Sequence, residues 1–298
     1  MKNQLLKRCV AVLLGVLFMT SLAGCSNADS DKNVDITEAS IAEAEDAIKE
    51  DDIDAVSESI DLGDATLIND GILTVGMVVD YPPFEYYPTN GTEPIGVDVD
   101  IVNALADELG LEVEIKDVPW DDALFANIGS EYDVVCSAVT ITDDRLEEML
   151  FTDAYIDNYQ SIVICRDSEV NIQGFESLDG LRIAVQKGTV SDEMMMGFVE
   201  QETISIELIE NEIATDCFEK LKNGDVDAVV CDSTVAEGQV TRNSDVFSEV
   251  YRDESTVERF AIAIGKDNTG LQIALNKALS KLQNEGAVTS IIDSWFSR

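Results

Sequence analysis

The chain has 298 residues, enough for one or two domains with substantial cores, and its 45% hydrophobic share is that of a globular protein. With 19 Lys and Arg against 60 Asp and Glu, its formal net charge is −41, which excludes phosphate-neutralising nucleic-acid binders and basic membrane patches. It contains no histidine, so Ser-His-Asp and Cys-His catalysis and imidazole metal sites are excluded too. We expect no cofactor, no metal ion and no nucleic-acid partner.

Residues 1–24 have the pattern of an export signal. Three cations precede an apolar run at 10–19, which is too short to span a bilayer comfortably. The segment LAGC at 22–25 follows and resembles the lipobox of bacterial lipoproteins. That resemblance implies that Cys25 is acylated and becomes the first residue of the mature chain. A cleaved secretory signal with an incidental cysteine, or an uncleaved membrane anchor, are the alternatives.

Residues 25–65 are predicted to be an acidic, flexible tether. Positions 26–65 hold fourteen Asp or Glu and two Lys, and they contain no aromatic residue. Such a segment buries too little apolar surface to offset its ordering entropy. About 40 flexible residues reach roughly 35 Å root-mean-square. Apolar residues within 36–60 fall near helical spacing, so a marginal helix there stays open.

The first globular unit alternates strands and helices. A glycine-flanked strand at 71–77 leads into the loop YPPFE at 81–85, where two prolines prevent a continuing ladder. A helix begins after Gly96 and stops at Gly110. The remaining predicted elements are a strand at 112–118, a helix at 121–128, a strand at 132–139 and a short helix at 143–149.

The second unit repeats this opening order. A strand, loop and helix begin at 178–189, and later predicted elements are strands at 205–209, 226–231 and 260–265 and helices at 212–223, 271–284 and 288–296. Alternation of this kind predicts parallel sheets covered by helices. Two similar α/β units predict two lobes with a ligand cleft between them.

Four segments carry a family resemblance: DYPPFE at 80–85, GVDVDI at 96–101, SAVTITDDR at 137–145 and VQKGT at 185–189. In this order and behind a lipobox, they resemble the family 3 extracellular solute-binding proteins of ABC importers, the amino-acid-binding group. The resemblance covers about 67–298.

This resemblance implies a two-lobed periplasmic-binding-protein fold of type II, which closes on its ligand. Lobe 1 would comprise 66–164 and 257–298, and lobe 2 would comprise 165–256. The two crossing segments would lie near 165–167 and 253–258.

Arg145 is the residue on which the site prediction depends most. Its planar guanidinium can pair two carboxylate oxygens at once, which Lys cannot do. Thr140 and the backbone N–H groups around Ala138 and Thr140 are expected to complete a carboxylate site, with Ser137 nearby. The alternative for Arg145 is a helix-surface cation paired with a following glutamate at 147 or 148.

The remaining site residues come by resemblance. Asp232 would bind the ligand's ammonium from lobe 2, Tyr81 and Trp120 would enclose its side chain, and Thr189 with the adjacent Gln186 would contact it from lobe 2. Asp232 as a helix N-cap and Trp120 as core packing are the rival interpretations.

Other positions bear on specificity. Asp98 and Asp100 are interpreted as helix-start residues. Val78 stands where some relatives place an acidic ligand, Gln186 where some place Lys, and Cys231 where some place His. The grip on the amino-acid backbone therefore looks intact, and the missing Lys disfavours an acidic side chain.

The sequence thus predicts a lipid-anchored, extracytoplasmic, monomeric receptor that captures a polar amino acid and delivers it to an ABC permease. Rivals are a sensing module that acts through a membrane partner, and an enzyme resembling cyclohexadienyl dehydratase with Asp80, Glu85 or Asp232 as its acid. Cys136, Cys165, Cys217 and Cys231 show no CxxC spacing, and free thiols or one or two disulfides both remain possible.

Overall fold

The computed structural model describes residues 60–121 and 123–297. Within these residues no helix combines the length and the apolar character that crossing a membrane requires. The strands are β1 (Ile72–Met77), β2 (Asp80–Tyr81), β3 (Glu85–Tyr86), β4 (Glu112–Asp117), β5 (Val134–Val135), β6 (Met149–Phe151), β7 (Ile156–Cys165), β8 (Arg182–Gln186), β9 (Glu207–Asn211), β10 (Ala228–Asp232), β11 (Phe247–Phe260) and β12 (Ala263–Gly265). The helices are α1 (Val97–Leu109), α2 (Ala123–Ala126), α3 (Asp143–Glu148), α4 (Val190–Glu200), α5 (Ala214–Asn223), α6 (Ser233–Arg242), α7 (Thr269–Asn284) and α8 (Ala287–Phe296).

The first sheet has the strand order β4-β1-β5-β12-β6. β1 is parallel to β4 and β5, whereas β12 is antiparallel to β5 and β6. Leu105 of α1 and Leu275 and Leu279 of α7 are buried in the core on one side. Both faces of β1 are covered, since Leu73, Val75 and Met77 lie in this core and Gly76 packs against Tyr132 on the other side, so the strand is buried at nearly every position rather than alternating.

The second sheet has the order β11-β7-β10-β8-β9, with β8, β9 and β10 parallel and with β7 and β11 antiparallel. Ile162, Leu178 and Met195 belong to its core. Because β8 and β10 are parallel, Gln186 and Asp232 at their carboxyl ends reach the same edge of the sheet. The two sheets form the two lobes that the sequence predicted.

Two long strands carry the chain between the lobes, and here the predicted boundary at 164/165 is wrong. The whole of Ile156–Cys165 is one strand that pairs with β11 and β10, so the first crossing lies near Ile156 rather than at 165–167. The second crossing is predicted at 253–258, and the register of β11 shifts there, between Asp253 and Glu258. The polar side chains of Asn158 and Gln160 are buried, so the alternation of polar and apolar residues does not reveal the strand.

Several element lengths also differ from the predictions. The YPPFE loop is the tip of a hairpin, since Asp80 and Tyr81 pair with Tyr86 and Glu85. The predicted strand at 132–139 is reduced to Val134–Val135. Ala138, three residues beyond it, has φ 47°, a left-handed conformation that is incompatible with a continuing pleat.

The predicted tether ends earlier than residue 65. Ile60, Leu62 and Ala65 are partly buried against the core of the first lobe, and the Ile60 N–H donates to the Glu108 carbonyl at 2.9 Å. Residues 60–65 therefore belong to the globular part. The signal at 1–24, Cys25 and 26–59 lie outside the described residues, so what the sequence predicts for them stays a prediction.

Four cysteines in the described part of the chain are free thiols. Cys136, Cys217 and Cys231 are buried, and Cys165 is partly exposed. Their burial favours the thiol interpretation over the disulfide alternative.

Candidate functional site

A cavity of about 360 Å³, partly open to solvent, lies between loops of the two lobes. All nine residues that the sequence predicted as ligand-binding line it, together with Val78 and Val190: Tyr81, Trp120, Ser137, Ala138, Thr140, Arg145, Gln186, Thr189 and Asp232. The fold thus brings the nine together, and their contact with a ligand remains a prediction.

Arg145 faces the cavity from the first turn of α3. The Thr142 hydroxyl caps this helix by accepting the Arg145 N–H at 3.2 Å, and Arg145 Nη1 donates to the Thr140 carbonyl at 2.9 Å. The guanidinium carbon lies 5.7 Å from the centre of the Trp120 ring and 5.4 Å from that of Phe125.

The ion pairs among residues 60–121 and 123–297 do not include Arg145. The alternative of a surface pair with a glutamate at 147 or 148 is therefore wrong. A half-buried cation without an ion-pair partner is suited to receive an anion from outside the protein.

Ser137 and Ala138 line the cavity, but their polar groups are bonded away from it. The Ser137 hydroxyl donates to Glu85 Oε1 at 2.7 Å and accepts the Val78 N–H at 3.1 Å. The Ala138 N–H donates to Asp98 Oδ2 at 2.7 Å. The expectation that the Ala138 N–H completes the carboxylate site is therefore wrong, because Asp98 already accepts that hydrogen.

Beneath this loop lies a buried carboxyl pair, Glu85 and Asp98, both fully inaccessible to solvent. Burial, and then the neighbouring Asp98 carboxylate, raise the pKa of Glu85 well above its usual range. Burial also raises the pKa of Asp98, against the lowering effect of the Ala138 N–H. Asp98 is thus more than a helix-start residue, and Glu85 is too deeply buried to act on a substrate.

Asp232 lies at the opposite end of the cavity, where β10 meets α6. Its Oδ2 accepts from the Tyr81 hydroxyl at 2.5 Å, and its Oδ1 accepts from Asn158 Nδ2 at 2.7 Å and from Gln160 Nε2 at 3.0 Å. It occupies the N-cap position of α6, yet its side chain makes no capping hydrogen bond. Asp232 therefore stands at the N-cap position, as the rival interpretation expected, but its side chain does not cap the helix.

A second carboxylate, Glu258 on β11, uses the same two amides. Its Oε2 accepts from Asn158 Nδ2 and from Gln160 Nε2, both at 3.1 Å. Burial, and then the charge of Asp232, raise the pKa of Glu258 to about 7. Burial likewise raises the pKa of Asp232, while the hydrogen bond from Tyr81 and those from the two amides lower it.

Polar and aromatic side chains form the walls between these two ends. Trp120 packs edge-on against Phe125, and its Nε1 donates across the cleft to the Gly188 carbonyl at 3.4 Å, so it serves both packing and the cavity wall. Thr189 caps α4, and the buried Gln186 directs its amide nitrogen to the Glu212 carbonyl at 3.3 Å.

An open groove adjoins the cavity and shares Val78 and Trp120 with it. Four carboxylates line the groove: Asp80, Asp117, Asp121 and Glu212. Burial, and then the charges of Asp117 and Asp216, raise the pKa of Asp80 to about 6. In the part of the chain that the structure describes, no group of three or more Cys, Asp or Glu side chains has the arrangement of a metal site.

Residues 73–298 match the family described as bacterial extracellular solute-binding proteins, family 3. The chain belongs to this family.

Characterised relatives of this solute-binding protein are binding proteins. The arginine-binding extracellular protein ArtP of Bacillus subtilis (strain 168) is 30% identical over 226 residues, which span 76% of this chain and 86% of ArtP. A mutant of ArgBP from T. maritima is similar in structure, with a TM-score of 0.70 and 34% identity over 76% of this chain and 96% of that one. The predicted periplasmic-binding-protein fold is confirmed.

The ancestral amino acid-binding protein AncCDT-1, described as a precursor of cyclohexadienyl dehydratase, has the same fold. It has a TM-score of 0.69 and 30% identity over 76% of this chain and 96% of that one. The fold of this family therefore also occurs in a lineage that leads to an enzyme.

Sequence reasoning missed the partners of Asp232. Asn158, Gln160 and Glu258 lie on the two crossing strands, far from Asp232 in sequence and outside any of the four motifs. A weak signal was available, since polar residues at 157, 158, 160 and 161 directly precede the apolar run at 162–164. Phe125, which lies beneath Arg145, was also missed because it resembles an ordinary core residue.

Proposed function

We propose that this solute-binding protein captures a free polar amino acid outside the cytoplasm and delivers it to an ABC permease, while Cys25 anchors it to the membrane through lipid. One observation carries the proposal: the cavity has a cation, Arg145, at its first-lobe end and a carboxylate, Asp232, at its second-lobe end. A free amino acid presents the opposite charges, a carboxylate and an ammonium, on one small molecule. Binding both charges from different lobes favours the closed form of the cleft.

The surroundings of the cavity favour a polar side chain that is not acidic. Gln186 and Thr189 offer polar groups in the wall, and the adjoining groove carries Asp80, Asp117 and Glu212. A ligand carboxylate reaching into that groove would meet like charges, whereas an amide, hydroxyl or cation would not. That ArtP and ArgBP are named for arginine is consistent with this preference.

The interactions suffice for the binding strength such a receptor needs. Micromolar affinity corresponds to about −8 kcal/mol. A charge-assisted pair contributes about 1.5–3 kcal/mol, and a cation–aromatic contact adds about 1 kcal/mol. Two charged pairs and one aromatic contact give about 4–7 kcal/mol when the cavity is preorganised, as the bonded Asp232 and the capped α3 indicate. Burial of the ligand's apolar surface, at about 25 cal/mol per Å², supplies the remainder.

A thermal-shift screen of the twenty amino acids, cystine and polyamines tests the ligand class, because ligands that bind only the folded state raise its melting temperature. We expect the largest shifts for polar or cationic L-amino acids, confirmed by calorimetry. If no free amino acid shifts the melting temperature or gives heat on titration, the proposal is wrong.

The anchor and the absence of catalysis require separate measurements. Incorporation of labelled palmitate and recovery in the membrane fraction should both be lost in Cys25→Ala. Incubation with cyclohexadienyl acids should give no product, because Glu85 is buried away from the cavity and Asp80 lies in the groove. Product formation that depends on Asp232 would favour an enzyme instead.

A further inference from the structure

Glu258 connects the two ends of the cavity through the second crossing strand. It pairs with Asn158 of β7 in the strand register, and the carbonyl of the next residue, Arg259, accepts the Ile141 N–H at 2.9 Å. Ile141 follows Thr140 in the loop that leads to Arg145. Residues 258–259 therefore contact the loop that leads to Arg145 on one side and the amides that bind Asp232 on the other.

The amides of Asn158 and Gln160 are divided between two carboxylates. A primary amide nitrogen carries two hydrogens, and in each of these residues both Asp232 Oδ1 and Glu258 Oε2 lie within hydrogen-bond distance of it, at 2.7–3.1 Å. Each amide therefore donates to Glu258 as well as to Asp232.

Hydroxyl groups donate to the oxygen ends of both amides. Ser191 donates to Gln160 Oε1 at 2.6 Å, and Thr234 donates to Asn158 Oδ1 at 3.1 Å. Flipping either amide would set its oxygen against the Asp232 carboxylate, which can only accept, and in Asn158 it would also lose the bond from the Thr234 N–H at 3.4 Å. The nitrogens are thus held toward the two carboxylates.

We propose that Glu258 is a positioning residue of the ammonium site: it shares the Asn158 and Gln160 amides with Asp232 and strengthens the site's grip on the ligand's cation. The inference rests on the proposed function, since it requires an ammonium at Asp232. Glu258 acts through the shared amides and through its charge, and it does not line the cavity.

The charges around Glu258 give this role a pH dependence. Asp232 faces it from β10 and raises its pKa, while Arg145 of α3 lowers it. Tyr81 of β2 hydrogen-bonds Asp232, and Glu193 of α4 interacts with Arg145.

With a pKa of about 7, Glu258 is partly protonated in the ligand-free protein at neutral pH. An ammonium that neutralises Asp232 removes the main repulsion, so the pKa of Glu258 falls and a proton leaves on binding. Affinity therefore rises with pH through neutrality.

The test compares the wild type with Glu258→Gln, which resembles the protonated acid in shape, and with Glu254→Gln, a matched change at an exposed position of the same strand. The probe is L-arginine, or whichever amino acid gives the largest shift in the thermal screen. Dissociation constants are measured by calorimetry at pH 5.5, 7 and 8.5. Each protein's melting temperature, measured without ligand, serves as the check on folding.

We expect Glu258→Gln to equal the wild type at pH 5.5 and to bind about three- to tenfold more weakly at pH 8.5, which corresponds to a linked pKa shift of up to about one unit. Glu254→Gln should follow the wild type at every pH. Calorimetry in phosphate and Tris should show proton release near pH 7 in the wild type and a smaller release in Glu258→Gln. Glu258→Asp should restore part of the pH dependence.

Two failures are distinguishable. If the wild type binds no amino acid, the proposed function is wrong and this inference with it. If the wild type binds but Glu258→Gln matches it from pH 5.5 to 8.5, only this inference is overturned. Should Glu258→Gln fail to fold, carboxyl carbon NMR of the wild type gives the same answer: the pKa of Glu258 falls on ligand saturation, and an unchanged pKa overturns the proposal.

Discussion

The two ends of the cavity are built in opposite ways. At the first-lobe end, the Arg145 guanidinium makes one hydrogen bond within the described residues, to the Thr140 carbonyl, and has two aromatic rings beside it. At the second-lobe end, Asp232 accepts from Tyr81, Asn158 and Gln160 and is 8% exposed.

Under the proposed function, this difference means that the two ends contribute to recognition in different ways. The cationic end lacks an ion-pair partner in the described chain, so an incoming carboxylate gains most of its pairing energy there. The anionic end is already bonded and held in place, so an ammonium adds to an existing network at little reorganisation cost. That network includes a contact from Tyr81 in the other lobe, which links ammonium binding to closure of the cleft.

The largest expected effect is at the bonded end. Asp232→Asn should weaken amino-acid binding about 30-fold or more, because losing one member of a buried charge pair costs about 2–5 kcal/mol. Isothermal titration measures it, with Asp245→Asn, at an exposed position of the second lobe, as the control. A dissociation constant within threefold of the wild type would show that the ammonium does not bind at Asp232.

At the sparsely bonded end, Arg145→Ala should weaken binding at least tenfold while the protein stays folded. Arg145→Lys should recover only part of the loss, because a point charge cannot pair two carboxylate oxygens. Calorimetry is again the measurement, and Lys277→Ala on the exposed face of α7 removes a cation without approaching the cavity. Unchanged titration of Arg145→Ala would refute the carboxylate assignment.

Substitutions in the cavity wall between the two ends should weaken binding less than those at the ends. Trp120→Ala should weaken binding about three- to tenfold, since an aromatic or cation–aromatic contact contributes about 0.5–1.5 kcal/mol. Trp120→Phe should lose less. Melting temperature and affinity are measured together: a loss of stability with unchanged affinity would mean that Trp120 serves packing alone.

The smallest effect on binding is expected for the buried carboxyl pair, Glu85 and Asp98, which lies beneath the loop that carries Ser137 and Ala138. Glu85→Gln should change affinity less than about twofold, because an amide oxygen can still accept the Ser137 hydroxyl. Glu85→Gln should instead change how the free energy of unfolding depends on pH. The pKa of Glu85 is raised in the folded state. The neutral acid therefore contributes its full stability below the unfolded pKa of about 4.3, and this contribution declines as pH rises toward the folded value.

The wild-type melting temperature should consequently fall between pH 5 and pH 8 by more than that of Glu85→Gln. The two decreases in melting temperature should differ by a few degrees, since a change of 1 kcal/mol in the free energy of unfolding shifts the melting temperature of a domain of this size by about 2–4 °C. Glu112→Gln at an exposed position provides the control for charge loss. Parallel pH profiles in all three proteins would contradict the buried carboxyl pair.

Much of the fold could be predicted because its signals are local. The helix α1 begins after Gly96 and ends at Gly110, which has φ 68°, and the terminal helices α7 and α8 match their predicted spans within two residues. The long strand β7 was missed because its buried polar residues break the alternation that reveals a strand, and β11 was missed because polar and charged residues fill most of its middle. The sequence contains the polar residues of β7, but only the pairing of β7 with β11 between the lobes explains why they are buried.

The sequence by itself determined the cationic end of the cavity. Residues 137–145 form one continuous segment, in which a strand end, a left-handed turn and a capped helix follow one another, so their order along the chain already fixes their neighbourhood. The tertiary structure alone decided which of these groups face the cavity. It directs the Ser137 hydroxyl to Glu85 and the Ala138 N–H to Asp98, and it gathers Tyr81, Asn158, Gln160 and Glu258 around Asp232. The hydrogen bonds among these residues join positions 40 to 151 apart, and at such separations only the packing of the two lobes sets which atoms meet.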